Sequence, residues 1–174
     1  MKIIKTYIKD LTLIKSTSFS DNRGLFREVD KQNILKKKFV FDCFSYSKKN
    51  TLRGLHLQTK KSQAKIITVV HGKILDVVVD LRKKSSTYGK NFTIKLSSLN
   101  KKIFWIPPGF AHGFLSLEDD TIFCYKCTGS YNKNTECTLL WNDPILDIDW
   151  GINNPILSPK DLQGVSFKDF STQF

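Results

Sequence analysis

Leu52-Arg53-Gly54-Leu55-His56 lies inside Lys48-Lys49-Asn50-Thr51-Leu52-Arg53-Gly54-Leu55-His56-Leu57-Gln58. The flanking leucines suit a strand that packs into a core on one side and faces a cavity with its polar residues on the other. Strict alternation would put Arg53 and His56 on opposite faces. Gly54 offers a way out, because a glycine inside a strand often marks a bulge that re-aims side chains. Taken alone, the pair reads equally well as a core histidine beside a surface arginine.

Working outward, the chain is a series of short strands punctuated by Gly and Pro turns. Residues 1–15 alternate loosely as an opening strand. Asp21-Asn22-Arg23-Gly24 is a turn signature, and Leu25–Val29 alternates after it. Residues 30–38 are the helix candidate of the first half, with Asp30 as cap. Lys65–Val70 and Lys73–Leu81 are β-branched runs around His71-Gly72, which predicts a hairpin with an exposed His71. Another strand is expected from Thr87 through Leu96. Pro107-Pro108-Gly109 is expected to bend the chain and set His112 at a rim. Residues 121–127 read as a strand with Tyr125 and Cys127 on one face, and Leu157–Asp161 as a helix-entry turn or a strap. No repeat or linker interrupts the 174 residues. The expectation is one domain, 1–174, all-β, a small barrel or jelly roll with a few short peripheral helices.

The hydrophobic fraction of 40% and charged fraction of 25% place the chain among ordinary globular proteins. No apolar run reaches the length of a membrane span, and Met1-Lys2-Ile3-Ile4-Lys5 lacks a signal-peptide core, so a cytoplasmic protein is expected. The net charge of +12 calls for an anionic partner. The lysine pairs are scattered along the chain rather than gathered with aromatics, which argues against nucleic acid. There is no phosphate-binding Gly-rich loop. The cysteines are Cys43, Cys124, Cys127 and Cys137. The Cys124/Cys127 spacing suits a metal or redox pair. On a strand, however, positions three apart point to opposite faces and chelate poorly, so a structural, reduced role is expected.

In order, Phe19–Glu28, Leu52–His56, Gln63-Ala64-Lys65, Asp76–Arg82, Ile106–Phe114, Tyr125-Lys126, Trp141-Asn142-Asp143 and Leu157–Asp161 form a signature that closely resembles the dTDP-4-dehydrorhamnose 3,5-epimerases. These are cupin-type jelly-roll enzymes of nucleotide-sugar metabolism. The resemblance implies an isomerase with no cofactor and no metal, acting on a nucleoside-diphosphate 4-keto-6-deoxy sugar for surface polysaccharide. It implies His56 as base, Asp161 orienting its imidazole, Tyr125 as acid on the opposite side of the sugar, and Lys65 on the enolate oxygen. Arg23, Glu28, Arg53 and Tyr131 match positions that bind the nucleotide or diphosphate, and Phe19 and Phe26 match aromatic positions near the base. His112 takes a supporting place in the substrate site. A homodimer with an exchanged N-terminal segment is implied as well.

One stretch departs from the family pattern. Phe41 and Cys43 stand where polar pocket residues are usual, which allows a GDP-linked sugar or a heptose in place of the usual substrate. Three other readings use the same scaffold. A 3-epimerase or 3,4-ketoisomerase shares the enolate. A metal cupin needs a closely spaced His pair that is missing around His56. A non-catalytic sugar-binding cupin would be expected to lose His56, Tyr125 or Asp161, and all three are present.

Overall fold

Alternating apolar residues on antiparallel strands need a second apolar surface to close on, and here two sheets provide it for each other. The structure is a computed structural model, and it describes residues 1–29, 35–171 and 174. In chain order the strands are β1 (Lys2–Lys5), β2 (Thr12–Lys15), β3 (Ser18–Asp21), β4 (Gly24–Arg27), β5 (Phe41–Ser47), β6 (Leu52–Gln58) and β7 (Lys65–His71). They continue with β8 (Lys73–Asp80), β9 (Asn91–Ser97), β10 (Lys102–Ile106), β11 (Phe110–Ser116), β12 (Thr121–Cys127) and β13 (Glu136–Thr138). One sheet has the order β1-β2-β10-β7-β12-β5 and the other β13-β6-β11-β8-β9, while β3 and β4 form a separate hairpin. The result is a cupin-like jelly roll, with a 3-10 turn at Lys133–Thr135 and a one-turn helix α1 (Pro159–Leu162).

The core between the sheets includes Ile67, Val69, Phe104, Phe114, Phe123, Val78 and Leu96. The five-stranded sheet is covered on its other face too. Leu52, Leu55, Leu57, Val77, Val79 and Leu115 pack there under Leu139, Leu146 and Trp150 from the C-terminal segment. Burial on both faces explains why β8 is almost continuously apolar. It also makes Asp76 conspicuous, because this carboxylate lies between the inward-facing Ile74 and Val78 and is fully buried.

The expected hairpin of β7 and β8 does not form. Each run is buried on both sides of its backbone and needs two neighbours, and each finds them in a different sheet. β7 pairs with β10 and β12, and β8 pairs with β9 and β11. His71 and Gly72 therefore turn a corner between sheets. Gly72 has φ +79°, and a Cβ there would lie 2.4 Å from Thr121 Oγ1. His71 is exposed, as expected.

Other boundaries also differ from expectation. The opening strand is two paired strands, β1 and β2. The strand after Gly89 begins at Asn91, with Thr87–Lys90 in a turn. The helix expected over 30–38 falls partly outside the described residues, and Lys36–Lys38 carry no helix. His112 is not at a rim. It is the third residue of β11, 7% exposed, because the bend at Pro107-Pro108-Gly109 ends before Phe110 and the strand then runs through the centre of its sheet. Among the described residues, no helix is long and apolar enough to cross a membrane.

Candidate active site

Gly54 has φ +121°, a backbone state that favours glycine. A Cβ there would sit 2.6 Å from Gly113 Cα and 2.7 Å from the His112 carbonyl oxygen. The ladder shows the consequence. His56 faces His112 and Arg53 faces Phe114, so three steps along β6 match two along β11. That bulge turns Arg53 and His56 to the same side, against strict alternation. Leu52, Leu55 and Leu57 stay together on the opposite face, in the core beneath the C-terminal segment.

Two cavities, of about 350 Å³ and 250 Å³, share His56, Lys65, His112 and Tyr125. The larger also touches Phe41, Cys43, Gln58, Gln63, Cys127, Tyr131 and Glu136. The smaller touches Ser45, Arg53, Phe114, Phe123, Ser158 and Asp161. His56 and His112 come from the five-stranded sheet, Tyr125 and Lys65 from the six-stranded one. Histidine and tyrosine thus stand on facing walls of one space.

His56 Nε2 lies 2.5 Å from Asp161 Oδ1. Asp161 is delivered by α1, whose cap is Ser158 and whose first residue is Pro159, both favourable at a helix start. The Ser158 hydroxyl donates to Asp161 Oδ2 at 2.7 Å, and the Gly54 amide donates to Oδ1 at 3.4 Å. Burial raises the Asp161 pKa, but the hydrogen bonds with His56 and Ser158 outweigh it and hold the carboxyl below its ordinary value. An ionised Asp161 accepts the Nε2 proton of His56 and leaves Nδ1 as the free acceptor, the arrangement of a base.

His112 Nε2 lies 2.9 Å from Asp76 Oδ2. Burial pushes the imidazole below its ordinary pKa and the Asp76 carboxyl above its own, each against the pull of the other. Asp76 Oδ1 has no hydrogen-bond partner among the described residues. Burial also lowers the Lys65 pKa, against the opposing pull of Cys127, Asp76 and Glu136. Tyr125 is pushed well up, first by burial and then by Cys43, its partner across the β5–β12 ladder. A phenol so placed stays protonated and can donate.

Tyr131 donates from its hydroxyl to Glu136 Oε2 at 2.9 Å, and Lys160 Nζ lies 2.5 Å from Glu136 Oε1. Arg53 donates from Nε to Ser47 Oγ at 3.3 Å. The β3–β4 hairpin stands apart from these groups. Phe19 and Phe26 are 61% and 68% exposed, with ring centroids 6.4 Å apart. Arg23 pairs with Asp21 at 2.7 Å. None of Phe19, Arg23, Phe26 or Glu28 lines either cavity. Arg27 clamps the hairpin's base instead, donating to Thr68 Oγ1 at 2.9 Å and the Val69 carbonyl at 3.0 Å.

Ser158 and Asp76 are site residues that sequence reasoning left unassigned. Each has a signal: Ser158 precedes Asp161 at capping distance, and Asp76 interrupts an apolar strand. Among the described residues, no group of three or more His, Cys, Asp or Glu gathers as a metal site. All four cysteines are free, and Cys127 lines the larger cavity while Cys124 does not.

The family model described as dTDP-4-dehydrorhamnose 3,5-epimerase matches residues 5–169. The enzyme of that name from Shigella flexneri is 43% identical over 176 residues, covering 97% of each chain. Its namesake from Neisseria gonorrhoeae is 46% identical over 170 residues, 94% of this chain and 52% of that protein's length. The chain therefore spans about half of that relative. Among solved structures, the dTDP-6-deoxy-D-glucose-3,5-epimerase of Legionella pneumophila, in complex with dTDP-4-keto-L-rhamnose, is 40% identical with a TM-score of 0.93. The match covers 98% of this chain and 94% of that one.

Proposed function

The chain belongs to the dTDP-4-dehydrorhamnose 3,5-epimerase family, and on that premise we propose that it is an isomerase inverting C3 and C5 of a dTDP-linked 4-keto-6-deoxy hexose for surface polysaccharide. The C4 ketone acidifies the hydrogens on both neighbouring carbons. Nδ1 of His56 takes one of them, and the electron pair moves through the new C–C double bond onto the C4 oxygen. Asp161 stabilises the imidazolium that results. Lys65 offers N–H donors to the enolate oxygen, and His112, fixed by Asp76, is the neutral group beside it. Tyr125 returns a proton to the opposite face of the ring, and its phenolate then recovers one from solvent. The His56 proton leaves by the same route.

The observation that carries this reading is the placement of His56 and Tyr125 on opposing walls of a shared cavity. A sugar between them has one face toward each. The dTDP carrier rests on the names of the relatives, and Phe41 and Cys43 mark where this chain's pocket differs. The chain acts as one domain. We further infer a homodimer in which Phe19, Arg23, Phe26 and Glu28 serve the partner's cavity, because the hairpin bearing them is exposed and remote from its own.

The test is product identification by NMR with the 4-keto-6-deoxy hexose on dTDP and on GDP. Inversion at C3 and C5 on dTDP, unaffected by a chelator, supports the reading. Turnover on GDP alone would overturn the carrier, and inversion at C3 alone would make the protein a 3-epimerase.

A further inference from the structure

β5 and β12 run antiparallel with Cys43 directly opposite Tyr125. Along β5, Asp42 and Phe44 are exposed, and Cys43 between them is turned inward. Cys43 and Tyr125 line the same cavity, and as a directly opposed cross-strand pair they turn their side chains to the same face. Sulfur is a weak acceptor, so it can align a hydroxyl without trapping its proton. We propose that Cys43 is a positioning residue for Tyr125, holding the hydroxyl against the cavity wall until a substrate carbon takes the proton.

The neighbourhood is consistent with that role. Phe123 packs on Tyr125 with ring centroids 5.5 Å apart and limits its swing. Burial and the Cys43 sulfur both favour the protonated phenol, while Arg53 on the facing strand pulls the other way. Without Cys43, the phenol would lose the sulfur that stands opposite it across the β5–β12 ladder. Proton removal by His56 would continue, but delivery from the opposite wall would falter. The intermediate would then be reprotonated on the face from which it was deprotonated.

This inference rests on the acid role proposed for Tyr125, and one experiment separates the two. In heavy water, the deuterium entering recovered substrate is compared with the amount of inverted product. Wild type, Cys43→Ala, Cys43→Ser and Tyr125→Phe are run together. Cys43→Ala is expected to raise the ratio of exchange to inversion about tenfold, the change that follows from roughly 1.4 kcal/mol. Cys43→Ser, which keeps an acceptor at that place, is expected to restore most of the inversion. Adding Cys43→Ala to Tyr125→Phe is expected to change nothing further. An unchanged ratio in Cys43→Ala, with a raised one in Tyr125→Phe, would overturn the role of Cys43 alone. Inversion as poor in Cys43→Ser as in Cys43→Ala would do the same. A wild-type ratio in Tyr125→Phe would overturn the acid role and the inference with it.

Discussion

His56 and Asp161 are 105 residues apart in the chain and meet at 2.5 Å. The contact requires a strand from the middle of the barrel and a one-turn helix near its end, so it is a product of the complete fold. Asp161→Asn keeps the shape but removes the charge that favours the Nε2–H tautomer. A fall in kcat of about 10²–10⁴-fold is expected, with little change in KM. Ser158→Ala should cost less, because His56 and Gly54 still hold the carboxylate. Steady-state kinetics of the two variants check the order.

The same pair sets a pH dependence of stability. The folded-state pKa of Asp161 is below its ordinary value of 3.8. Its contribution to stability is therefore complete above the unfolded carboxyl pKa and is lost as pH falls through the folded one. Urea midpoints of the wild type should drop below about pH 4 more steeply than those of Asp161→Asn. Parallel curves would contradict the assignment.

Asp76 has the opposite sign. Burial raises its pKa, so whatever stability the carboxyl contributes is present at low pH and lost as pH rises through its folded value. Asp76→Asn should leave the urea midpoint at pH 8 unchanged or higher. It should also lower kcat by about tenfold, through loss of the group that orients His112. Full activity in this variant would remove the His112–Asp76 pair from the site's chemistry.

Gly54 is where backbone and site meet. An alanine would adopt φ +121° and press its Cβ against Gly113. A destabilisation on the order of 2–4 kcal/mol is expected for Gly54→Ala, read as a lower denaturant midpoint. Since the bulge is what brings Arg53 and His56 to one side, activity should fall even in the folded fraction.

The proposed dimer has its own test. Arg23→Ala and His56→Ala should each be nearly inactive alone. Mixed and refolded together, they should regain up to about a quarter of wild-type activity, because half of the subunits pair as heterodimers carrying one intact site. No recovery would place Arg23 outside the partner's cavity.

Much of the placement was legible in local sequence. Gly54 announced an irregularity between Arg53 and His56, period-two alternation put Tyr125 and Cys127 on one inward face, and Ser158-Pro159 announced the turn that carries Asp161. Partnership between distant strands was not legible. β7 and β8 are neighbours in sequence and both rich in β-branched residues, and nothing local says that each pairs elsewhere. The burial of His112 depends on β8 and β6 lying on either side of β11. The local signal, two prolines and a glycine, pointed to a rim. The exposed hairpin carries residues whose types suit a ligand, yet they line neither of the two cavities described for their own chain.

The central claim is that His56 begins the reaction by taking a proton from carbon. The most direct measurement is solvent deuterium uptake at C3 and C5 of the dTDP-linked 4-keto-6-deoxy hexose, comparing wild type with His56→Asn. Wild type is predicted to exchange both positions, and His56→Asn to exchange neither while still binding dTDP. Exchange in His56→Asn at the wild-type rate would contradict the account.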